Sequence, residues 1–243
     1  MVHKYFNQVK DILDKVETNE GLKIGEAAEK ISATLQQDDG VVHLFGCGHS
    51  HMLTEEVYYR AGGLVPVHPI LHEPLMLHEG AIKSSELERQ PDYARTFMEE
   101  QDIRENDVMI VISTSGRNPV PLDTALIAKE KGAFVIGLSS FIYAEGQTSR
   151  HTSGKFLHEV VDLGIDTHIP VGDALLSDTS VAVNFAPGST VVGASILNEM
   201  MGKVISSMAE NGFDPPVLLS GNVDGADMHN KKIMEKYKKR ISF

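Results

Sequence analysis

The chain has 243 residues, and 22 Lys and Arg against 34 Asp and Glu give it a formal net charge of −12. This acidic balance argues against broad nucleic-acid binding, which needs a basic surface. The single cysteine, Cys47, excludes an intrachain disulfide and fits a reducing compartment. The N-terminus has no apolar signal segment, and no apolar run approaches the roughly 18 residues of a membrane span. We therefore expect a cytoplasmic protein that does not cross a membrane.

The hydrophobic pattern predicts an α/β protein. Apolar residues at helical spacing predict two helices near the N-terminus, one before and one after Gly21. Beyond Gly40, short apolar runs alternate with helical segments. The pattern predicts strands at 41–45, 64–71, 107–113, 133–140 and near 159–163 and 167–171, and helices at 50–61, 85–101, 119–131, 190–209 and 222–240. This alternation predicts a parallel sheet with helices on both faces, which is a three-layer αβα sandwich with an N-terminal helical extension.

The segment 190–209 is apolar on nearly all of its helical faces. A helix of this kind is buried, either in the centre of a domain or where two subunits meet. We therefore expect a homodimer or a larger oligomer such as a homotetramer, which light scattering can test.

Two loops at the carboxyl ends of predicted strands carry polar residues suited to ligand binding. Ligands of open α/β sheets bind outside these strand ends. The first loop, 46–51, reads GCGHSH, and the second, 113–118, reads STSGRN. The second loop gathers hydroxyls, a glycine and an amide at a helix start, where free N–H groups and the helix dipole favour phosphate. The same residues also fit a plain cap and turn, because Asn118 followed by Pro119 is a favourable helix start.

The first loop does not fit a dinucleotide-binding fingerprint. It lacks the third glycine, and no acidic residue follows at about 20 residues' distance near the end of the second strand. A dinucleotide cofactor is therefore not expected, and no other organic cofactor is expected either.

The segments FGCGHS (45–50), DVMIVISTSGRN (107–118) and ALIAKEKGAFVIGLSS (125–140) resemble the sugar isomerase (SIS) domain of phosphosugar isomerases and phosphosugar-binding regulators. The resemblance covers roughly residues 20–210 and implies a flavodoxin-like sheet that binds a sugar phosphate. We predict one SIS domain over 1–243, with N-terminal helices at 1–38, an α/β core at 39–210 and a C-terminal helix at 211–243. Carried over by position, the resemblance implies that the phosphate is held by Ser113, Thr114, Ser115 and Asn118, and that the sugar is lined by Gly48, His49 and Ser50.

Sugar-phosphate isomerisation requires a base that moves a proton between neighbouring carbons, and an etherase-type lyase requires similar proton abstraction beside a carbonyl. His51 and Glu55 lie four residues apart on the helix after the first loop, with Glu56 adjacent, and are the candidate catalytic residues. The His51–Glu55 pair also has spacing that suits a metal or a plain surface contact, and no metal is expected. Glu86 and Glu88 are further candidate carboxylates.

The chain departs from the family pattern at one position, and the resemblance is compatible with two functions. Several enzymes of this family carry a glutamate about ten residues after the first-loop serine, where this chain has Arg60. The leading hypothesis is a sugar-phosphate isomerase or lyase, and the alternative is a non-catalytic sugar-phosphate-binding regulator. No basic helix-turn-helix pair is visible in 1–40, which favours the enzyme.

Overall fold

The structure, a computed structural model, describes residues 3–243. Five parallel strands form one sheet in the order β2-β1-β3-β4-β5. The strands are β1 (Val42–Gly46), β2 (Val67–Pro69), β3 (Val108–Ile112), β4 (Phe134–Ser139) and β5 (Leu163–Asp166). The two central strands, β1 and β3, are buried along their whole length because helices cover both faces of the sheet.

Eight helices accompany the sheet in the described chain. They are α1 (Lys4–Leu35), α2 (His51–Val57), α3 (Ala81–Leu87), α4 (Arg95–Met98), α5 (Pro119–Glu130), α6 (Ile142–Gly146), α7 (Ser189–Glu210) and α8 (Ala226–Glu235). α1, α2 and α7 cover one face with a core that includes Ile31, Leu53 and Ile196. α4 and α5 cover the other face with Phe97, Met98 and Leu122. The predicted three-layer, flavodoxin-like sandwich is confirmed.

The prediction of two N-terminal helices was wrong, because α1 is one helix of 32 residues. Its buried residues continue in one helical register on both sides of Gly21, from Val9 and Val16 to Ile24 and Ile31. A side chain at Gly21 would have no neighbour within 4 Å, so this glycine lies in the open. Its cost to a helix of about 1 kcal/mol is small compared with the burial of that continuous face.

Several predicted boundaries also change. The helix predicted over 85–101 is two short helices, α3 and α4, because Pro91 and the left-handed Asp92 (φ 60°) interrupt it. The strand predicted over 64–71 shortens to β2. Instead of the two strands predicted near 159–163 and 167–171, the chain forms one strand, β5, at Leu163–Asp166. The helix after the first loop ends at Val57, and the last helix covers only Ala226–Glu235.

The apolar residues of α7 are largely covered within the chain. α7 packs along α1 and beside α2, which buries Val192, Ile196, Met200 and Val204. Its outward positions include Asn198 and other polar residues. Burial of α7 therefore does not require a second subunit, and the oligomer stays a prediction. Within residues 3–243, no helix combines the length and apolar character needed to cross a membrane.

A buried polar network joins the C-terminal segment to the amino end of the sheet. Arg240 binds Asp107 through both terminal nitrogens, at 3.0 Å and 2.7 Å, and Nε2 of His43 donates to the same carboxylate at 3.2 Å. Because a carboxylate only accepts, Nδ1 of His43 is left to accept from Nδ1 of His68 at 3.1 Å. Burial opposes ionisation of Asp107, but the hydrogen bonds from His43, Arg240 and the Arg104 backbone outweigh it and hold its pKa below the usual range. This network supports the proposal that the C-terminal segment belongs to the same domain.

The position of His68 in this network predicts that the free energy of unfolding depends on pH. Burial lowers the pKa of His68 to about 4, and the electrostatic effects of His43 and Arg240 act in the same direction, whereas Asp102 opposes the shift. In the unfolded chain a histidine titrates near 6.5. The unfolded chain therefore binds more protons between these two values. His68 should contribute its full stability above about pH 6.5 and lose up to about 3 kcal/mol as the pH falls to about 4.

Urea unfolding from pH 7.5 to pH 4 measures this loss. The slope of unfolding free energy against pH should be shallower in His68→Gln than in the wild type. His49→Gln removes an exposed histidine and serves as the control, which should keep the wild-type slope. Identical slopes in wild type and His68→Gln would contradict the assignment.

Candidate functional site

The strand order places the two polar loops side by side. The chain leaves β1 toward the edge strand β2 and then returns to form β3 on the other side of β1. Gly46 at the end of β1 pairs with Ile112 at the end of β3, so loops 46–51 and 113–118 begin at the same level. A reversal of strand order of this kind opens a crevice at the carboxyl ends of parallel strands.

The first loop depends on two glycines. A Cβ at Gly46 would lie 2.7 Å from the backbone carbonyl of Ser50, so only glycine allows the chain to turn directly off β1. Gly48 has a φ of 56°, in the left-handed region that favours glycine. The turn that follows leaves His49 exposed and Ser50 half-buried, and it leads directly into α2.

The second loop is built around Gly116, which has a φ of 56°. Its N–H donates to the carbonyl of Ser113 at 3.0 Å, and the buried Ser113 hydroxyl lies 3.3 Å from the same N–H. A Cβ at Gly116 would lie 3.2 Å from Cβ of Ser139 and 3.3 Å from Cβ of Leu157. Both conformation and space therefore require glycine at this position.

Several donors of the second loop are free. The backbone N–H groups of Thr114, Ser115, Arg117 and Asn118 have no acceptor anywhere in residues 3–243. The half-buried hydroxyls of Thr114 and Ser115 also lack a hydrogen-bond partner in that range. Clustered free N–H groups at a turn form a concavity that suits an anion. The loop can therefore hold an anion with neutral donors in a chain of charge −12.

Asn118 does not cap the helix that it precedes. α5 begins at Pro119 as predicted, but the Asn118 side chain makes no capping hydrogen bond. Its Nδ2 donates to Oε1 of Glu88 at 2.9 Å, and its Oδ1 accepts from Nη1 of Arg150 at 2.9 Å. The amide thus connects a carboxylate to a guanidinium, while the Val120 N–H donates to the backbone carbonyl of Glu88 at 3.2 Å.

Glu88 is a half-buried carboxylate that contacts the second loop. It accepts from Nδ2 of Asn118, and burial together with the charge of Glu88 raises the pKa of Cys47 in the first loop. Burial raises the pKa of Glu88 itself, although the Asn118 hydrogen bond and the charges of Arg89 and Arg150 oppose this shift. The sequence analysis named both Glu86 and Glu88 as candidate carboxylates. The structure distinguishes them, because Glu86 is exposed whereas Glu88 is half-buried.

The other candidate acids and bases occupy different surroundings. His51 is 7% exposed, its Nδ1–H donates to the carbonyl of Gly48, and its ring centroid lies 6.3 Å from that of His78. Glu55 is exposed on α2 and has no ion-pair partner in the described chain. Glu56 is paired with Arg60 and accepts from Asn198 of α7 at 3.2 Å, so it is engaged on the α7 side of α2.

The second loop generates a stability prediction. Gly116→Ala adds the cost of a left-handed alanine, about 1–2 kcal/mol, and forces Ser139 or Leu157 to move. Gly154→Ala is the matched control, because Gly154 has a φ of 72° but no neighbour within 4 Å of the added carbon. Thermal unfolding should show a larger loss for Gly116→Ala than for Gly154→Ala. Equal losses would mean that the loop relaxes freely around the new methyl group.

Comparisons with known proteins agree with this architecture. Residues 4–140 match the SIS domain family. A UPF0309 protein of Halalkalibacterium halodurans is 58% identical over 241 residues, which is 99% of this chain and 96% of the relative.

Two solved structures share the fold at low sequence identity. A phosphoheptose isomerase from Francisella tularensis superposes with a TM-score of 0.53 at 15% identity, over 84% of this chain and 96% of that one. The sugar isomerase domain of an RpiR transcription factor from Sphaerobacter thermophilus superposes with a TM-score of 0.50 at 14% identity, over 86% and 91%. The chain therefore belongs to the SIS domain family and, within it, to the UPF0309 proteins.

Proposed function

We propose that the chain binds a sugar phosphate in the crevice between loops 46–51 and 113–118. The phosphate lies against the second loop, where the free N–H groups of Thr114, Ser115, Arg117 and Asn118 converge with two free hydroxyls. Phosphate at the start of a helix is stabilised by such donors and by the helix dipole. A structural relative that is named a phosphoheptose isomerase supports the same ligand class.

In this proposal the sugar extends toward the first loop. Gly48, His49 and Ser50 line it, since this loop begins one strand away from the phosphate loop. Ser113 is buried and bonded to Gly116, so its main task is to shape the loop, while Thr114 and Ser115 contact the phosphate. The half-buried hydroxyl of Ser50 is placed to bind the sugar.

We further propose that the protein is an isomerase or lyase that abstracts a proton beside the sugar carbonyl, with Glu88 as the base. The observation that carries this proposal is the hydrogen bond from Asn118 of the second loop to Glu88, which makes Glu88 a half-buried carboxylate in contact with that loop. A base works best when its pKa is close to the operating pH, and burial moves the pKa of Glu88 in that direction. Raising the pKa of a carboxyl by desolvation is a common feature of catalytic acids and bases.

His51 is the proposed partner for the second proton transfer. Because its Nδ1–H donates to the Gly48 carbonyl, the neutral ring keeps its lone pair on Nε2. Glu55 remains a further candidate on the same helix, whereas the contacts of Glu56 with Arg60 and Asn198 argue against its use as the base.

A non-catalytic regulator is the second candidate function. The fold is shared with the sugar isomerase domain of a transcription factor, so sugar-phosphate binding without turnover is compatible with this architecture. The two functions differ in one observable, which is exchange of the sugar C2 proton with solvent.

The phosphate site predicts a loss of binding when its neutral donors are removed. A thermal-shift screen over sugar phosphates first identifies a ligand, since a ligand at 100 times its Kd adds about 2.7 kcal/mol of stability. The double change Thr114→Val and Ser115→Ala should then weaken this ligand roughly 10-fold or more in calorimetry, because each hydrogen bond to a charged group contributes about 1.5–3 kcal/mol. Ser206→Ala removes an exposed hydroxyl on α7 and should leave the Kd unchanged. Unaltered affinity in a folded double variant would contradict the site.

If Glu88 is the base, its replacement should reduce turnover and leave ligand binding in place. Glu88→Gln keeps the shape and the contact with Asn118 but cannot accept a proton, so C2 proton exchange in deuterated water should fall about 10²–10⁴-fold. Glu86→Gln is the matched control two residues away and exposed, and it should exchange at the wild-type rate.

Other outcomes of the exchange experiment are equally informative. Exchange that survives in Glu88→Gln and is lost in Glu55→Gln or Glu56→Gln moves the base to α2. A wild-type protein that binds a sugar phosphate tightly without any exchange supports the regulator.

A further inference from the structure

Three arginines lie next to Glu88 and Asn118, either in sequence or through a side-chain contact. Arg150 donates from Nη1 to Asn118 and from its backbone N–H to the carbonyl of Arg117 at 2.8 Å. Arg89 follows Glu88 directly. Burial, together with the charges of Arg117 and Arg89, lowers the pKa of Arg150, with Glu88 opposing, so these guanidinium groups act on one another electrostatically. We call Arg89, Arg117 and Arg150 the arginine cluster.

The three side chains of the arginine cluster lack ion-pair partners in the described chain. Three other arginines, Arg60, Arg104 and Arg240, form ion pairs with carboxylates, but none of the cluster does within residues 3–243. In the same range, the buried Nε of Arg117 also has no hydrogen-bond partner. The positive charges of Arg89 and Arg150 act on the carboxylate of Glu88 in a chain whose net charge is −12. Their mutual repulsion is relieved by an anion.

The segment that carries Arg150 is held in place from both sides. The next residue, His151, contacts Asp123 of α5 through Nε2 at 2.9 Å, and both side chains are largely buried. Nη1 of Arg117 donates to Gln147 at 3.0 Å, and the Ser149 hydroxyl donates to the carbonyl of Lys155 at 2.6 Å. The guanidinium of Arg150 is therefore positioned in advance of any ligand, which lowers the entropic cost of binding.

We propose that the arginine cluster binds a second anionic group of the ligand, so that the ligand is a sugar phosphate that also carries a carboxylate or a second phosphate. This inference rests on the proposed function and narrows its substrate class. The first phosphate is already matched by the neutral donors of Thr114, Ser115 and their neighbours. Arg150 contacts Oδ1 of Asn118, at the end of the amide opposite to the one that contacts Glu88, and planar guanidinium groups suit a second carboxylate or phosphate.

Matched ligand pairs test this inference by calorimetry. Fructose 6-phosphate and fructose 1,6-bisphosphate differ by a second phosphate, and glucose 6-phosphate and 6-phosphogluconate differ by a carboxylate. The wild type should bind the member with the extra anionic group about tenfold or more tightly in at least one pair. The pair that shows the difference identifies which anion the cluster accepts.

Variants of the arginine cluster test whether its side chains cause the gain in affinity. Arg150→Gln should reduce the affinity ratio within that pair toward one, and Arg89→Gln, which changes an exposed side chain, should reduce it without affecting folding. Arg95→Gln on α4 is the control, because Arg95 is also exposed and unpaired in the described chain, and it should keep the wild-type ratio.

Failure of the inference differs from failure of the proposed function. If the monophosphates bind and the extra anion gives no gain, or if the gain survives in both Arg150→Gln and Arg89→Gln, the second subsite is wrong while the phosphate site stands. If no sugar phosphate binds, or if binding is insensitive to Thr114→Val with Ser115→Ala, the proposed function is wrong as well.

Discussion

The reversal of strand order between β1 and β3 is the constraint on which the rest of the site depends. Both strands are fully buried, so their carboxyl ends are fixed by the core rather than by the loops. Because the chain leaves β1 toward one edge of the sheet and β3 toward the other, the two connections diverge and leave a crevice. Glycine is then needed wherever the backbone must turn sharply at this edge, as at Gly46 and Gly116, since a side chain there would overlap its neighbours. The backbone N–H groups of the second loop that follow β3 have no acceptor within residues 3–243, and they supply its free donors.

Charge is distributed in two different ways around this crevice. The second loop presents neutral N–H and hydroxyl donors, which suit an anion and, being uncharged, do not attract the acidic side chains of this chain of charge −12. The polar chain beside it uses formal charges, with Glu88 and Arg150 separated by the Asn118 amide rather than paired directly. An amide in this position is fixed in orientation, because its Nδ2 must face the carboxylate and its Oδ1 must face the guanidinium. Serine or threonine at 118 could not span the same two partners with separate donor and acceptor atoms.

The fold and the two polar loops at the strand ends could be predicted from the sequence, because both depend on local signals. Buried strands are short β-branched runs, and glycines with hydroxyls mark the turns that follow them. Glu88 and Arg150 could not be identified in this way, since each lies about 30 residues from Asn118 in the chain and is brought to it only by packing. Asn118 itself gave a misleading signal, because Asn before Pro is a strong cap pattern and the side chain is used elsewhere. The pattern of α1 was misinterpreted for a related reason: Gly21 indicates a break locally, but the continuous buried face decides the structure.

The two proposals are coupled through the electrostatics of Glu88. Burial raises its pKa, and the positive charges of Arg89 and Arg150 act against that shift. An anion bound to the arginine cluster offsets those charges, so it removes part of what keeps Glu88 ionised and makes the carboxylate a stronger proton acceptor. A ligand with a second anionic group would thus raise the basicity of Glu88 at the moment it fills the crevice. A ligand without that group would meet the same carboxylate in its less basic form. Discrimination between substrates would then act on the chemical step as well as on binding, because the second anion changes the pKa of the base and not only the affinity.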